Sequence, residues 1–351
     1  MTKIVTFSDF HAHIFEDFSK PDKRFITDRF RDQINTLHKV FEIAREHDAI
    51  LVFGGDLFHK RKTLDDIVFN EVFTVFAQNS DTEVYMIRGN HDSRDNSTKS
   101  RNWLEVFDFL PNVTVFSVPL WREVEKDGFL FNLFALPYSD NIEELKENVE
   151  LWSHIAKQSP NPSILAGHIG VDGSEVGRYN HRLAGAFSVA DLRPDVFDYV
   201  ALGHYHKRQF LGGTDNVFYT GNTIQTSFSD EGQEKGVMLI DLAAKGKPTF
   251  IPIANKQFIT LTKIDENTQD LVENHYVRLV LPKEQVKEVE VFKEKSDNFR
   301  LEVTKHYKVE TRIGIEMDST EEQIVSEYTK EFYPEATEAA LDILREARDN
   351  L

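Results

Sequence analysis

The chain has 351 residues, 40% of them hydrophobic, with 28 phenylalanines, no cysteine and a net charge of −18. That length and composition suit two domains, or one large domain with an appendage, around a sizeable core. They exclude disulfides and thiolate metal sites, argue against a large self-sufficient nucleic-acid surface, which is normally basic, and leave no apolar run near the ~20 residues of a membrane span.

The missing cysteines fit a reducing compartment, and the N-terminus shows no signal-peptide pattern. A cytoplasmic protein with no membrane association is therefore expected. The acid excess is uneven: residues 301–351 hold 13 acidic and 6 basic side chains, residues 151–250 hold 10 and 9. A partner is expected to supply much of the grip on any polyanion.

In chain order, Lys3–Phe7 reads as a buried strand and leads into Asp9-Phe10-His11. Phe30, Ile34, Leu37, Val40, Phe41 and Ala44 follow the 3.6-residue period of a helix. Ala49–Phe53 is a strand run before Gly55-Asp56-Leu57-Phe58-His59. Ile67, Val68, Val72 and Phe76 suggest a second helix, and Val84–Ile87 a strand before Gly89-Asn90-His91-Asp92. Val113–Phe116 and Phe129–Leu136 are further strand candidates. Ser163–Ala166 precedes Gly167-His168, and Tyr199–Leu202 precedes Gly203-His204-Tyr205-His206. Val217–Thr220, Gly236–Asp241 and Thr249–Ile253 complete a strand-rich stretch. Alternating β and α elements followed by strands predict a layered α/β sandwich.

Composition shifts near residue 260. Lys263–Gln269 reads as a connector, Tyr276–Leu281 as a strand, Lys283–Lys295 as a charged helix or loop, and Phe299–Val309 as a strand. Ser319-Thr320-Glu321-Glu322 reads as a capping box with Ser319 at the N-cap. Its helix carries Ile324, Val325 and Tyr328. After Pro334, a last helix shows a stripe of Ala336, Ala340, Ile343, Leu344, Ala347 and Leu351. The expected division is 1–260, 261–318 and 319–351.

Five motifs thus carry metal-binding residue types just past strand ends, where open α/β proteins build their sites. Oxygen and imidazole donors without thiolate suit Mn²⁺, Mg²⁺ or Zn²⁺. They are more than one ion needs, and two adjacent ions most often serve phosphate-ester hydrolysis. Taken singly, a turn Asp or a lone His is usually structural; the joint pattern is what points to a metal centre. His13 reads as structural or as a rim residue, and His38, His47, His154, His181, His275 and His306 as solvent-facing or structural.

The ordered run Asp-x-His, Gly-Asp, Gly-Asn-His-Asp, Gly-His, Gly-His-x-His over residues 9–206 resembles the calcineurin-like metallophosphoesterase superfamily. Gly55-Asp56-Leu57-Phe58-His59, Tyr219-Thr220-Gly221-Asn222, Ser227-Phe228, Glu234-Lys235-Gly236 and Ile240-Asp241-Leu242 are similar to its SbcD-type DNA-repair nuclease branch. Residues 1–260 carry the likeness; the remainder matches in plan only. Ala12-His13-Ile14 departs from the small apolar residue and Gly usual there.

The resemblance implies an α/β/β/α metallophosphoesterase sandwich, a small α+β capping (DNA-binding) domain and C-terminal helices. It implies one ion on Asp9, His11, Asp56 and His206, a second on Asp56, Asn90, His168 and His204, and Asp56 as the bridge. His91 is then the general acid, Asp92 accepts the other ring N–H of His91 to orient it, and His59 positions the phosphate or serves exonuclease action. The ions are expected to be Mn²⁺, with Mg²⁺ as the other candidate. The implied activity is that of a DNA exonuclease/endonuclease subunit for repair or recombination, hydrolysing phosphodiesters with a metal-activated water. An SbcC-type ABC ATPase is the expected partner through the C-terminal helices, since this chain has no Walker A motif. A homodimer is also implied, with Phe69, Val72, Phe73 and Phe76 as candidate contacts. The alternative is a stand-alone small-molecule phosphodiesterase or nucleotidase.

Overall fold

The computed structural model describes residues 2–177, 181–183, 185–289, 292, 299–303 and 319–349. The chain divides into two compact units, Met1–Val303 and Thr304–Leu351. Among the described residues, no helix is long and apolar enough to cross a membrane.

Two six-stranded mixed sheets form the main body of the first unit. The first contains β1 (Lys3–Phe7), β2 (Ala49–Phe53), β3 (Val84–Ile87) and β4 (Val113–Phe116), all parallel. The second contains β5 (Leu120–Lys126), β6 (Phe129–Leu136), β7 (Ser163–His168), β8 (Tyr199–Gly203), β9 (Gln209–Phe210) and β10 (Val217–Tyr219), in spatial order β9-β10-β8-β7-β6-β5. Strand β11 (Gly236–Asp241) pairs antiparallel with the open side of β1, and β12 (Thr249–Pro252) pairs antiparallel with β11 at the edge of the first sheet.

Successive side chains of β1 explain the layering. Ile4 packs between the sheets with Ile50, Tyr85, Leu133 and Ala201. Val5 and Phe7 face the other way, against α1 (Asp28–Glu46) and α2 (Asp66–Gln78), where Phe30, Leu37, Phe41, Val72 and Phe76 are buried. On the far face of the second sheet, α3 (Ile142–Gln158) buries Leu145, Val149 and Trp152 against Phe134, Leu165 and Val200. Strands buried on both faces read as continuous apolar runs, which is why β1, β2, β3 and β7 are legible. The result is the expected α/β/β/α sandwich.

Several expectations are corrected. Val72 and Phe76 belong to the core, and Phe69 and Phe73 pack half-buried against it, so this helix face is not an open surface for a second copy. Helix α3 and strand β5 are not among the elements expected from sequence; β5 is an edge strand in which only Val124 is buried.

A small parallel sheet follows, β13 (Phe258–Leu261), β14 (Tyr276–Leu281) and β15 (Phe299–Val303), with α4 (Thr268–Asn274) between the first two. Its own core gathers Val272, Val277, Leu279, Leu281 and Val289. The expected junction at 260 falls inside β13. Residues 304–309 of the expected last strand lie outside the described residues.

In the second unit, helices α5 (Glu321–Phe332) and α6 (Thr337–Asp349) are tied by Arg348, which pairs with Glu321 at 3.0 Å and Glu322 at 3.2 Å. The capping box is shifted by one residue. Thr320, not Ser319, is the N-cap; its hydroxyl accepts from the Gln323 amide, and the Gln323 side chain accepts from the Thr320 amide. Both registers satisfy the Ser/Thr-x-x-Glu/Gln pattern, so local sequence leaves the choice open. Ala336 lies in the turn before α6, and Leu351 lies outside the described residues.

Candidate metal centre

All seven ligand candidates come to the C-terminal edges of parallel strands. Asp9 and His11 follow β1, Asp56 follows β2, Asn90 follows β3, His168 ends β7, and His204 and His206 follow β8. Four of them, Asp9, His11, Asp56 and His204, have left-handed backbones with φ of 51°, 50°, 62° and 100°. Each such residue costs about 1–3 kcal/mol unless its surroundings hold it. Here the Asp9 amide donates to Gly55 O at 2.8 Å and the His11 amide to Asp56 O at 3.0 Å, locking the first loop to the second. Gly89 is required by close approach: a Cβ there would lie 2.1 Å from Asp56 Oδ1.

The side chains form two groups sharing one carboxylate. In the first, Asp9, His11 and His206 bring donor atoms within 4.8 Å of one another, and the Nε2 atoms of His11 and His206 are 3.0 Å apart. In the second, Asn90 Oδ1 lies 3.0 Å from His168 Nε2 and 3.2 Å from His204 Nδ1. Asp56 Oδ2 stands between them, 3.8 Å from His11 Nε2 and 3.3 Å from His168 Nε2. Asp9 also accepts the His204 amide through both oxygens at 3.1 Å.

This donor chemistry fits divalent ions. His168 Nδ1 lies 2.7 Å from the Gly54 carbonyl and donates to it, which leaves the Nε2 lone pair facing the oxygens of Asn90 and Asp56. With His168 neutral these are three acceptors facing one another, which a divalent ion would satisfy; a proton on His168, bonded to Asp56, satisfies them likewise. Burial pushes the His168 imidazole down, but the Asp56 carboxylate, with Asp9, overcomes it and holds the group up at about 9. Burial and the His206 charge drive His11 well below its ordinary value, and burial with His168 drives His204 to about 3. Burial raises Asp9. Burial also opposes ionisation of Asp56, yet the neighbouring His168 keeps its pKa far below the usual carboxylate range.

His206 is backed by residues to which sequence assigns no role. Asp230 Oδ1 stands 3.7 Å from His206 Nδ1. The Asp230 carboxylate accepts from Thr226 N at 2.8 Å, Thr226 Oγ1 at 2.9 Å and Lys235 Nζ at 3.3 Å. Lys235 also donates to the His206 carbonyl at 2.9 Å. Burial opposes the His206 charge, but Asp230 prevails and raises its pKa. Such outer partners orient imidazole ligands. The only sequence signal was proximity to the Asn222 and Lys235 motif.

Around the ligands stand His59 and His91. His91 Nδ1 lies 2.5 Å from the main-chain oxygen of His59, and the His91 amide donates to Asp56 Oδ1 at 2.7 Å. This corrects the expected role of Asp92. Its Oδ2 accepts the amides of Asp56 at 2.8 Å and Gly89 at 2.9 Å, and its Oδ1 those of Leu57 at 2.8 Å and Phe58 at 3.4 Å. Amides of two ligand-bearing loops saturate Asp92, and the His59 carbonyl orients His91 instead. Burial and the Asp56 charge push Asp92 up to about 6, against the pull of those amides. The His59 ring stacks on His91 at 5.9 Å and on His13 at 5.1 Å. Burial and the His13 charge lower its pKa to about 4. His13 is therefore a rim residue touching His59, at the position where the motif departs from the usual Gly.

Residues 2–208 match the calcineurin-like phosphoesterase family. Among curated proteins, the chain is similar to the SbcD component of the SbcCD nuclease of Staphylococcus epidermidis, 24% identical over 272 residues that cover 72% of this chain and 68% of that protein. Among solved structures it is similar to a dimetal phosphatase from Danio rerio, with 11% identity and a TM-score of 0.42, covering 68% of this chain and 91% of that one.

Proposed function

The chain belongs to the calcineurin-like phosphoesterase family, and from that premise we propose that it is a two-metal DNA phosphodiesterase, the nuclease subunit of an SbcCD-type complex. The observation that carries the reading is the pair of neighbouring donor groups at one edge of the sandwich with Asp56 Oδ2 between them, 3.8 Å from His11 Nε2 and 3.3 Å from His168 Nε2. Asp9, His11, Asp56 and His206 hold one ion; Asp56, Asn90, His168 and His204 hold the other, with Mn²⁺ the best candidate for both. The nuclease assignment is supported by the likeness to a protein named as part of a nuclease.

Bound divalent ions neutralise the phosphodiester, lower the pKa of water and stabilise the attacking and leaving oxygens. The protein does the rest. His91, with Nδ1–H held by the His59 carbonyl, keeps Nε2 as the atom that passes a proton to the departing sugar oxygen. His59, beside His11 and His91, positions the phosphate. Asp92 holds the loops of Asp56 and Gly89 in register.

The C-terminal hairpin docks the ATPase partner. It exposes Ile324, Tyr328, Phe332, Tyr333 and Ile343, the last 67% exposed, an apolar face suited to a partner helix. Deleting residues 319–351 is expected to abolish co-purification with an SbcC-type ATPase while Mn²⁺-dependent cleavage of short single strands survives. Unchanged partner binding would refute the docking assignment.

The test of activity is cleavage of end-labelled linear double-stranded DNA beside bis-p-nitrophenyl phosphate, with Mn²⁺. Cleavage of both supports the nuclease. Cleavage of the small ester alone, even with an SbcC-type partner and ATP, would make this a small-molecule phosphodiesterase.

A further inference from the structure

A cavity of about 300 Å³ opens between the loop that carries His59 and the loop that carries His91. Its walls include Arg61, Lys62, Arg94 and Arg101, with Trp103 and Asp92. In a chain of net charge −18, four cations around one cavity are a local inversion of sign. The acid on its wall, Asp92, turns its oxygens to the amides of Asp56, Gly89 and Leu57 and forms no ion pair with any of the four. Arg101 pairs with Glu105 at 2.9 Å. Among the described residues, Arg61, Lys62 and Arg94 have no ion pair.

Arg61 is held but not neutralised. Its guanidinium is hydrogen-bonded to the Asn96 side chain, its main-chain oxygen accepts from Trp103 Nε1 at 3.0 Å, and its Nε is buried without a hydrogen-bond partner. A fixed guanidinium with an unused N–H is suited to a phosphate or carboxylate oxygen. The Arg94 amide donates to the Arg101 carbonyl at 3.1 Å, and Ser93 bridges Asn102, so the second wall is also a built loop.

We infer that this cavity is a second phosphate subsite, which takes a backbone phosphate flanking the one held at the metal centre. Resting on the nuclease reading, this narrows the substrate to a strand with consecutive phosphates. Phosphate contacts of this kind set position along the strand without reading sequence. The local cations would also give an acidic protein its own grip on a polyanion.

The experiment uses the full chain and a Lys62→Ala/Arg94→Ala double variant, both residues being exposed. The first readout is the ratio of kcat/KM for a short single-stranded oligonucleotide to that for bis-p-nitrophenyl phosphate, with Mn²⁺. The ratio is expected to fall about 10-fold or more, with the loss in KM. The second is binding of the same labelled oligonucleotide between about 50 and 200 mM salt. The variant is expected to bind more weakly, with a salt slope lower by about 1. Equal binding and an equal slope in variant and wild type would overturn the subsite, whether or not the strand is cut. Wild-type hydrolysis of the ester with no cleavage of any strand would overturn the nuclease reading, and the binding arm would still decide the subsite. A parallel loss on both substrates with unchanged binding would also overturn it.

Discussion

Asp92→Asn separates two accounts of the same residue. If Asp92 served to orient His91, an amide in its place would disturb catalysis alone. In the structure its oxygens each accept from amides of the Asp56 and Gly89 loops, at 2.8 Å, 2.9 Å and 2.8 Å for the three short bonds. Asparagine has one acceptor oxygen. Whichever way its amide turns, an NH₂ group faces main-chain N–H donors that have no water to turn to, since Asp92 is fully buried. Two donors left unpaired at about 1–3 kcal/mol each give about 2–6 kcal/mol, a large part of a typical stability of about 5–15 kcal/mol. The melting temperature is expected to fall by roughly 3–8 °C. Because the same amides shape the turns that present Asp56 and Asn90, Mn²⁺ binding should weaken with it. The assay is a thermal melt and a Mn²⁺ titration on wild type and variant. A variant with unchanged melting and unchanged Mn²⁺ affinity, but lost hydrolysis, would refute this account and restore Asp92 to His91.

Other outcomes follow from the same geometry. His91→Ala should lower hydrolysis about 100- to 10,000-fold while Mn²⁺ affinity holds; loss of metal binding would show His91 to be a ligand. His59→Ala should cost less than His91→Ala, because His91 is oriented by the main-chain oxygen of His59, which the variant keeps; kcat for both variants decides it. Mn²⁺ and the proton compete for His168, whose pKa of about 9 lies above its ordinary 6.5, so Mn²⁺ should bind more tightly as pH rises, by about tenfold per unit below 9, and level off above. The raised folded value means that, without metal, His168 stabilises the fold below about pH 6.5 and loses that contribution as pH rises through about 9; melts across this range, with and without Mn²⁺, check the sign. Asp230→Asn removes the counter-charge of buried Lys235 and the partner of His206, which should cost about 3–5 kcal/mol and weaken Mn²⁺ binding about 10- to 100-fold, read by melting and titration.

Sequence by itself determined the residue types and the local backbone around them. Asp9, His11, Asp56, Asn90, His168, His204 and His206 were legible because each follows a short apolar strand, and buried strands leave an uninterrupted trace in the chain. Gly55 and Gly89 marked the turns because only a small residue admits so close an approach. Periodicity located α1 and α2 for the same local reason, whereas β5, with four exposed residues before Val124, carried no strong alternation to read.

Tertiary structure decided which groups meet. His11 and His206 are 195 positions apart yet bring their Nε2 atoms to 3.0 Å. Asp92 turned from His91 toward the amides of another loop, Asp230 came to stand behind His206, and Arg61, Lys62, Arg94 and Arg101 closed around one cavity. No local pattern encodes these pairings. They arise because parallel strands deliver all their C-terminal loops to one edge, and there each side chain takes the partner that satisfies its charge or hydrogen bond, however distant in the chain.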